Sequence, residues 1–449
     1  MEYLRNRDEL GIRRTGGVEL GDVRRRTRLI RLMEALSAHP SGSIPVASGG
    51  FAQTKAAYRL LENPALDWRE ILEVHTQRTA ERMREHSVVL CLQDTTELDF
   101  TSQPGIAGLG RLSYDAQHGL YVHPTLVVTP QGLALGVVDA WMWARKPKGE
   151  AAVKESVRWV EGYEIVADLA AQTPETRLVY IADREGDLRA LMDRAARRGH
   201  PADWLVRAVH NRNTAAGETL WTRVEQTSAL GEVEFTLPAA PGRPARTVRQ
   251  TLYRETVKLP ARKAAPAVVV TAILAREEHP PTGETPIVWR LLTNRTAATL
   301  EAAVELLEWY RRRWLVEIFF RILKSGCRVE ALQLGTLERL ERALVIYLII
   351  AWRILHLVTW GRECPDLSCE VVFDPEEWQA AWVVAHREKP PQTPPPLGQM
   401  TRLIAGFGGF LGRTRDGHPG PKAIWEGIQK VHAFALGIAA AQQAFSPPG

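Results

Sequence analysis

Apolar positions recur at helical spacing through residues 1–87, with Leu29, Leu32, Met33 and Leu36 on one side of a segment that also carries Arg24, Arg25, Arg26, Arg28 and Arg31. A loop of small residues (Pro40 to Gly50) separates it from amphipathic stretches at Tyr58–Leu61 and Ile71–Met83. At Ser87 the period changes. Val88-Val89-Leu90-Cys91-Leu92 is a continuous β-prone run closing on Gln93-Asp94-Thr95-Thr96, the pattern of a strand buried on both faces. Further strands are predicted at Tyr121–Thr129 and Leu133–Trp143, turned by Pro130-Gln131-Gly132. A helix over Ala151–Ala171 leads to a second buried run, Leu178–Ala182, which ends on Asp183 and is followed by a helix through Leu188–Ala196. Strand, acid and helix in that order make an α/β core.

From Asp203 to Thr293 the pattern is β-rich and broken by Pro and Gly, with the clearest strands at Thr247–Leu259, Ala267–Ala275 and Ile287–Leu292. Two long helices are expected next, Leu300–Leu323 and Leu337–Trp360. Past Pro375 come a further helix, a proline-rich linker (Pro390–Pro396) and a last helix over Ala423–Gln443. The expected division is a helical region 1–87, a catalytic domain 88–360 with a β-rich insertion at about 203–295, and a helical region 361–449.

Composition adds bounds. At 449 residues the chain is too long for one ordinary core. Its 45% hydrophobic and 24% charged content excludes a wholly disordered or collagen-like polymer. Four cysteines exclude a disulfide scaffold and fit a reducing compartment. The apolar run Ala343–Trp352 stops at Arg353, short of the roughly 20 residues a membrane span needs. No apolar leader opens the chain, so a soluble cytoplasmic protein without a membrane partner is expected. The formal charge of +5 permits a polyanionic partner without demanding one.

The segment around Glu317 carries the chemistry. On a continuous helix at about 100° per residue, Tyr310, Arg313, Glu317 and Lys324 fall within about 60° of one another. Much of the remaining circumference is apolar: Trp309, Trp314, Leu315, Val316, Ile318, Phe319, Phe320, Ile322 and Leu323. Such a helix is normally buried, and a buried carboxylate needs a cation. Spacing alone leaves two answers, an ion pair with Arg313 or Arg321, or a bound metal. Asp94 and Asp183 tilt the balance, because acids at the carboxyl ends of strands stand where open α/β sheets bind ligands. Each taken singly also suits a plain N-cap. Three acids brought together are stable only with cations among them, and hard oxygen ligands select Mg²⁺ or Mn²⁺. Two such ions at one site activate water and stabilise a leaving oxygen, while Arg, Lys and Tyr donors grip phosphates.

Tyr310-x2-Arg313-x3-Glu317-x6-Lys324 resembles the Y-(2)-R-(3)-E-(6)-K signature of the IS4 family of DDE transposases. Asp94-Thr95-Thr96 and Asp183-Arg184-Glu185-Gly186-Asp187 resemble the family's two aspartate motifs. The similarity extends from Leu20–Arg25 through Ala57-Tyr58-Arg59 and Glu62-Asn63-Pro64 to Trp425-Glu426-Gly427. It implies a ribonuclease-H-like core, with the 134 residues between Asp183 and Glu317 (317 − 183) accommodating a β-strand insertion. It implies that Asp94, Asp183 and Glu317 bind two Mg²⁺ ions, with Mn²⁺ a possible substitute, and that Tyr310, Arg313 and Lys324 contact phosphates. The implied partners are double-stranded DNA, as transposon ends and target, and a second protomer in a synaptic homodimer. The implied activity is cut-and-paste transposition through a hairpin, in a bacterial cytoplasm and at the nucleoid when DNA is bound. Two other readings stay open: a catalytically silent domesticated transposase acting as a DNA-binding protein or inhibitor, and a structure-selective nuclease.

Secondary features follow. Trp289, 28 residues before Glu317 (317 − 289), resembles the family's base-stacking tryptophan, although an ordinary packed Trp satisfies the sequence as well. Arg24, Arg25, Arg26 and Arg28 read as a phosphate-contacting helix face or as a solvated one. His123 fits a hydrogen-bonded core histidine or a neighbour of the acid cluster, and Glu185 and Asp187 fit supporting acids or acids of a helix N-terminus. Arg184 is a further candidate DNA contact. Cys364-x4-Cys369 lacks the second half of a zinc site. The last helix has an apolar side suited to core packing or, as the resemblance implies, to the dimer contact.

Overall fold

The computed structural model describes residues 23–147, 149–150, 153–237, 244–262, 265–413 and 416–445. Residues 1–22 of the expected N-terminal region, Leu20, Gly21 and Asp22 included, lie outside them, as do Ala151 and Ala152.

Helices come first: α1 (Val23–Ala38), α2 (Ile44–Ser48), α3 (Phe51–Glu62) and α4 (Trp68–Met83). Strands β1 (Val88–Gln93), β2 (Thr96–Asp99), β3 (Gly110–Arg111), β4 (His118–Val128) and β5 (Ala134–Trp143) follow. Then α5 (Val157–Gln172), β6 (Arg177–Ala182), α6 (Arg189–Arg197) and β7 (Asp203–Arg207) alternate. A short α7 (Leu220–Glu225) precedes β8 (Gly231–Leu237), β9 (Arg246–Leu259), β10 (Val268–Arg276) and β11 (Val288–Thr293). The remainder is helical: α8 (Leu300–Arg311), α9 (Trp314–Arg321), α10 (Leu337–Glu363), α11 (Pro375–His386), α12 (Leu397–Phe407) and α13 (Pro421–Phe445).

These elements gather into two compact units. One takes the described residues of Met1–Arg82, Thr95–Ala152 and Leu315–Gly449; the other takes those of Met83–Asp94 and Val153–Trp314. In the second unit β1, β6 and β7 are parallel neighbours, and β7 continues through antiparallel β11, β10, β9 and β8. The parallel strands read as unbroken apolar runs because both their faces are covered. Val89–Gln93 and Leu178–Ala182 are wholly buried. On α5, Gly162 is required by close approach: a Cβ there would stand 2.1 Å from the buried side chain of Gln93.

In the first unit β4 pairs with β2, β3 and β5, the β4–β5 turn closing at Gly132 with φ 108°. Helix α10 lies against β5, where the Trp352 indole donates to Ala134 O at 3.2 Å and His356 Nδ1 meets the same oxygen at 2.6 Å. It is long and apolar enough to cross a membrane, yet 94% of its most apolar window is buried within this chain, as in a core helix. Around Trp378, Met400, Ile404 and Val431, helices α11, α12 and α13 share one apolar core.

Three expectations change. The helix foreseen over Leu300–Leu323 is two helices, α8 and α9, separated by a tightened turn in which Arg313 N–H donates to Tyr310 O at 3.0 Å. It then relaxes into a π-type turn, Ile322–Gly326, so the single narrow stripe of Tyr310, Arg313, Glu317 and Lys324 does not apply. Trp314, expected on a buried helix, is 60% exposed. Strand β7, read as the start of the β-rich insertion, belongs by its parallel pairing with β6 to the core strands. Strands β2 and β3 and helices α7 and α12 are additions, and α2 stands within the stretch Pro40–Gly50 expected as a loop.

Candidate active site

The parallel register of β1 and β6 determines where their terminal acids stand. The ladder runs to Leu92 paired with Ile181, the strands end at Gln93 and Ala182, and Asp94 and Asp183 are the first residues past them. Adjacent parallel strands lie about 4.8 Å apart. Two aspartates thus follow neighbouring strands at the carboxyl edge of the sheet. Like charges so placed need a cation, and Arg313 supplies one to Asp94: its guanidinium donates to Oδ2 at 2.5 Å, with only 17% and 15% of the two side chains exposed.

The loop after β6 is tied on every side. Asp183 caps a 3₁₀ turn, Arg184–Gly186, its Oδ1 accepting from Glu185 N–H at 2.8 Å. Glu185 forms an ion pair with Arg158 of α5. Burial pulls the Arg158 pKa below its ordinary value, partly offset by Glu185. At Gly186 a Cβ would lie 2.4 Å from that of Ala182, so only glycine lets the turn fold back on its own strand. Asp187 is fully buried, accepts from Val209 and His210 N–H at 2.8 and 3.0 Å, and pairs with Arg212 at 2.6 Å. Glu185 and Asp187, expected as supporting or helix N-terminal acids, each have a partner arginine that sequence reasoning had not singled out. Arg158 carried no distinguishing signal; Arg212, in the polar run His210–Thr214, carried only its charge.

Helix α8, capped by Thr299 accepting from Ala302 N–H at 3.3 Å, delivers Tyr310 and, through the turn, Arg313. Tyr310 is buried, its phenol pushed above the ordinary range by burial, against the pull of Arg313 and Arg207. Its ring meets Trp289 edge-on at 6.3 Å, and Trp289 stacks on Phe235 at 6.2 Å. The half-buried Trp289 therefore stands in an aromatic row, Phe235–Trp289–Tyr310, rather than in the apolar core.

In the other unit, Glu317 sits half-buried in the first turn of α9. Lys324 lies in the π-type turn, whose Gly326 leaves room for Trp425. Among the described residues, no three His, Cys, Asp or Glu side chains converge as a ready metal cage. The donors nevertheless suit a hard dication, since the carboxylate oxygens of Asp94 and Asp183 are the ligand type that Mg²⁺ and Mn²⁺ take.

The remaining candidates divide. Arg24 and Arg28 are exposed on α1, whereas Arg25 donates to Ala65 O at 3.2 Å and so also serves the packing of this helical region; Arg26 is half-buried. His123 is buried on β4 and bonded to Thr95, the residue after Asp94, with Nδ1 and Oγ1 2.9 Å apart. Arg184 is exposed, and Cys364 and Cys369 are free thiols.

Comparison with known proteins matches three family models in succession. These are the transposase DNA-binding domain over residues 12–66, the transposase DDE domain over 160–353, and the transposase Tn5 dimerisation domain over 349–448. A solved piggyBac transposase synaptic complex with hairpin DNA is similar at 11% identity, over 80% of this chain and 71% of that one, with a TM-score of 0.36, a likeness too slight to bear on the site. The fold is α/β, its core ribonuclease-H-like, with helical regions on either side. With a DNA-binding, a DDE and a dimerisation domain in that order, the chain belongs to the Tn5-like DDE transposases, the IS4 family that its signature resembles, and is a DNA transposase.

Proposed function

We propose that this chain is an active cut-and-paste transposase that binds terminal inverted repeats, cuts both strands with divalent metal and joins the ends to target DNA. The observation that carries the reading is that Asp94 and Asp183 directly follow two strands, β1 and β6, paired in parallel. In this proposal Asp94, Asp183 and Glu317 hold two Mg²⁺ ions, for which Mn²⁺ can substitute. Bound there, the ions would acidify a water and offset charge on the leaving oxygen. Arg313, released from Asp94, turns its planar donors to a phosphate, with Tyr310 and Lys324 as further donors. First-strand hydrolysis frees a 3′-hydroxyl, which attacks the opposite strand and closes a hairpin; hydrolysis reopens it before strand transfer. Trp289 receives the base that a hairpin is too tight to keep stacked. Arg24, Arg25, Arg26 and Arg28 contact the repeat, two protomers hold two ends, and the protein works in the bacterial cytoplasm at the nucleoid.

A second reading, a silent domesticated transposase that binds ends or inhibits transposition, draws on one observation: Arg313 occupies Asp94, where a metal would otherwise bind. The test is cleavage of a duplex carrying the inverted repeats that flank the gene, with Mg²⁺ and with chelator. Mg²⁺-dependent nicking is expected, and Asp183→Asn should lower it by roughly 10²–10³-fold or more while end binding persists. A wild-type protein that binds the ends and never cuts them would favour the silent reading.

A further inference from the structure

Beyond the signature lysine, the chain turns sharply. After the π-type turn Ile322–Gly326, Arg328 adopts φ 51° and ψ 40°, the left-handed region that glycine enters freely and an arginine rarely does. Its side chain is exposed, and among the described residues it makes no ion pair. Arg328 and Lys324 line one open groove, together with Ser102, Gln103 and Ser325.

Glu330 lines the same groove and fastens it. Its carboxylate accepts from Asp99 N–H at 3.0 Å, and its carbonyl accepts from the Gln103 amide at 2.8 Å. Asp99 in turn takes Thr101 N–H at 2.8 Å, so the loop after β2 is held against the segment that bears Arg328. Glu330, the acid that lines the groove, is thus spent on a backbone donor, and the two cations stay open to a ligand. A strained backbone persists only where the surroundings impose it, and here it belongs to an arginine that lines the same groove as Lys324.

We propose that Arg328 forms a second phosphate subsite, holding the DNA backbone next to the phosphate that Lys324 grips. The ligand is a phosphodiester of duplex DNA, which a guanidinium binds through paired donors and without regard to base sequence. This rests on the DNA-processing role proposed above for Lys324.

The test uses Arg328→Gly in the full-length protein. Glycine relieves the backbone while deleting the charge, so the variant should melt at or above the wild-type temperature. Binding to a blunt mixed-sequence duplex is then followed across a salt series. Deleting one phosphate-binding cation should flatten the slope of log K against log salt by about one. That flattening is expected for Arg328→Gly and for Lys324→Ala, with Arg328→Lys keeping most of the slope. An unchanged slope in Arg328→Gly, beside a flattened one in Lys324→Ala, overturns the subsite and leaves the function standing. A wild-type protein without measurable affinity for the duplex overturns both.

Discussion

The strand-end acids and the signature segment are tied to the fold in opposite ways. Asp94 and Asp183 follow the ladder directly: β1 and β6 pair in parallel and end at Gln93 and Ala182, one residue short of each acid. Tyr310, Arg313, Glu317 and Lys324 have no such common frame. A tightened turn separates Tyr310 from Trp314, and a π-type turn re-aims Lys324. The lesson concerns where precision resides. Residues on a sheet are placed by hydrogen bonds that also hold the core together, whereas fixed spacing along a helix places residues only while the helix is unbroken.

That contrast also decides what the sequence could disclose. Buried runs ending in an acid identified β1 and β6, because strands covered on both faces are apolar throughout. The break at Arg312–Arg313 was hidden: no Gly or Pro marks it, and the apolar spacing runs through it from Leu306 to Phe320. Assigning β7 to the insertion was the natural error, since Asp203–Arg207 has the same β-prone text as the strands after it and only pairing separates them. The short strands β2 and β3 offer too few residues for a period to emerge. Arg158 and Arg212 show a different blindness. They matter because they neutralise Glu185 and Asp187, and no local pattern pairs an arginine with an acid about 25 residues distant.

The largest effect should come from breaking the frame of the second aspartate. Asp187 is wholly buried, and its partner Arg212 is 11% exposed. Asp187→Ala strands a buried guanidinium and two backbone donors, so urea unfolding should show a loss of about 3–5 kcal/mol. The double variant Asp187→Ala/Arg212→Met should recover part of it, because the stranded charge is gone. A single variant as stable as the wild type would mean that the ladder alone fixes Asp183, and the contrast would then be sharper still.

On the signature side, the aromatic row is the next lever. Base stacking on an aromatic side chain is worth about 1–3 kcal/mol, so Trp289→Ala should slow hairpin closure roughly 5- to 150-fold and first-strand nicking far less. Phe235 and Tyr310 flank the indole, and the tyrosine is itself a proposed phosphate contact. Trp289→Phe is therefore the better control, keeping a ring beside Tyr310 while offering a smaller face. Equal slowing of both steps in Trp289→Ala would remove the stacking role and make the row a packing feature.

The smallest effect tests whether α8 is set by its own start or by what it lies against. Thr299 satisfies one of the free donors of its first turn, the Ala302 N–H, and such a cap is worth about 1 kcal/mol. The helix has only 12 residues before the turn, so fraying at its start reaches Tyr310 sooner than in 27-residue α10, which has the same kind of cap at Thr336. Opposing that, Leu306, Leu307 and Trp309 are buried, and Arg295 stacks over Trp309 at 4.7 Å. If packing dominates, Thr299→Ala lowers the unfolding free energy by about 1 kcal/mol and leaves the nicking rate unchanged. If the cap sets the register, nicking falls too, because Arg313 leaves α8 through hydrogen bonds counted from that same helix. The buried triad argues for the first outcome, with stability and cleavage uncoupled at Thr299.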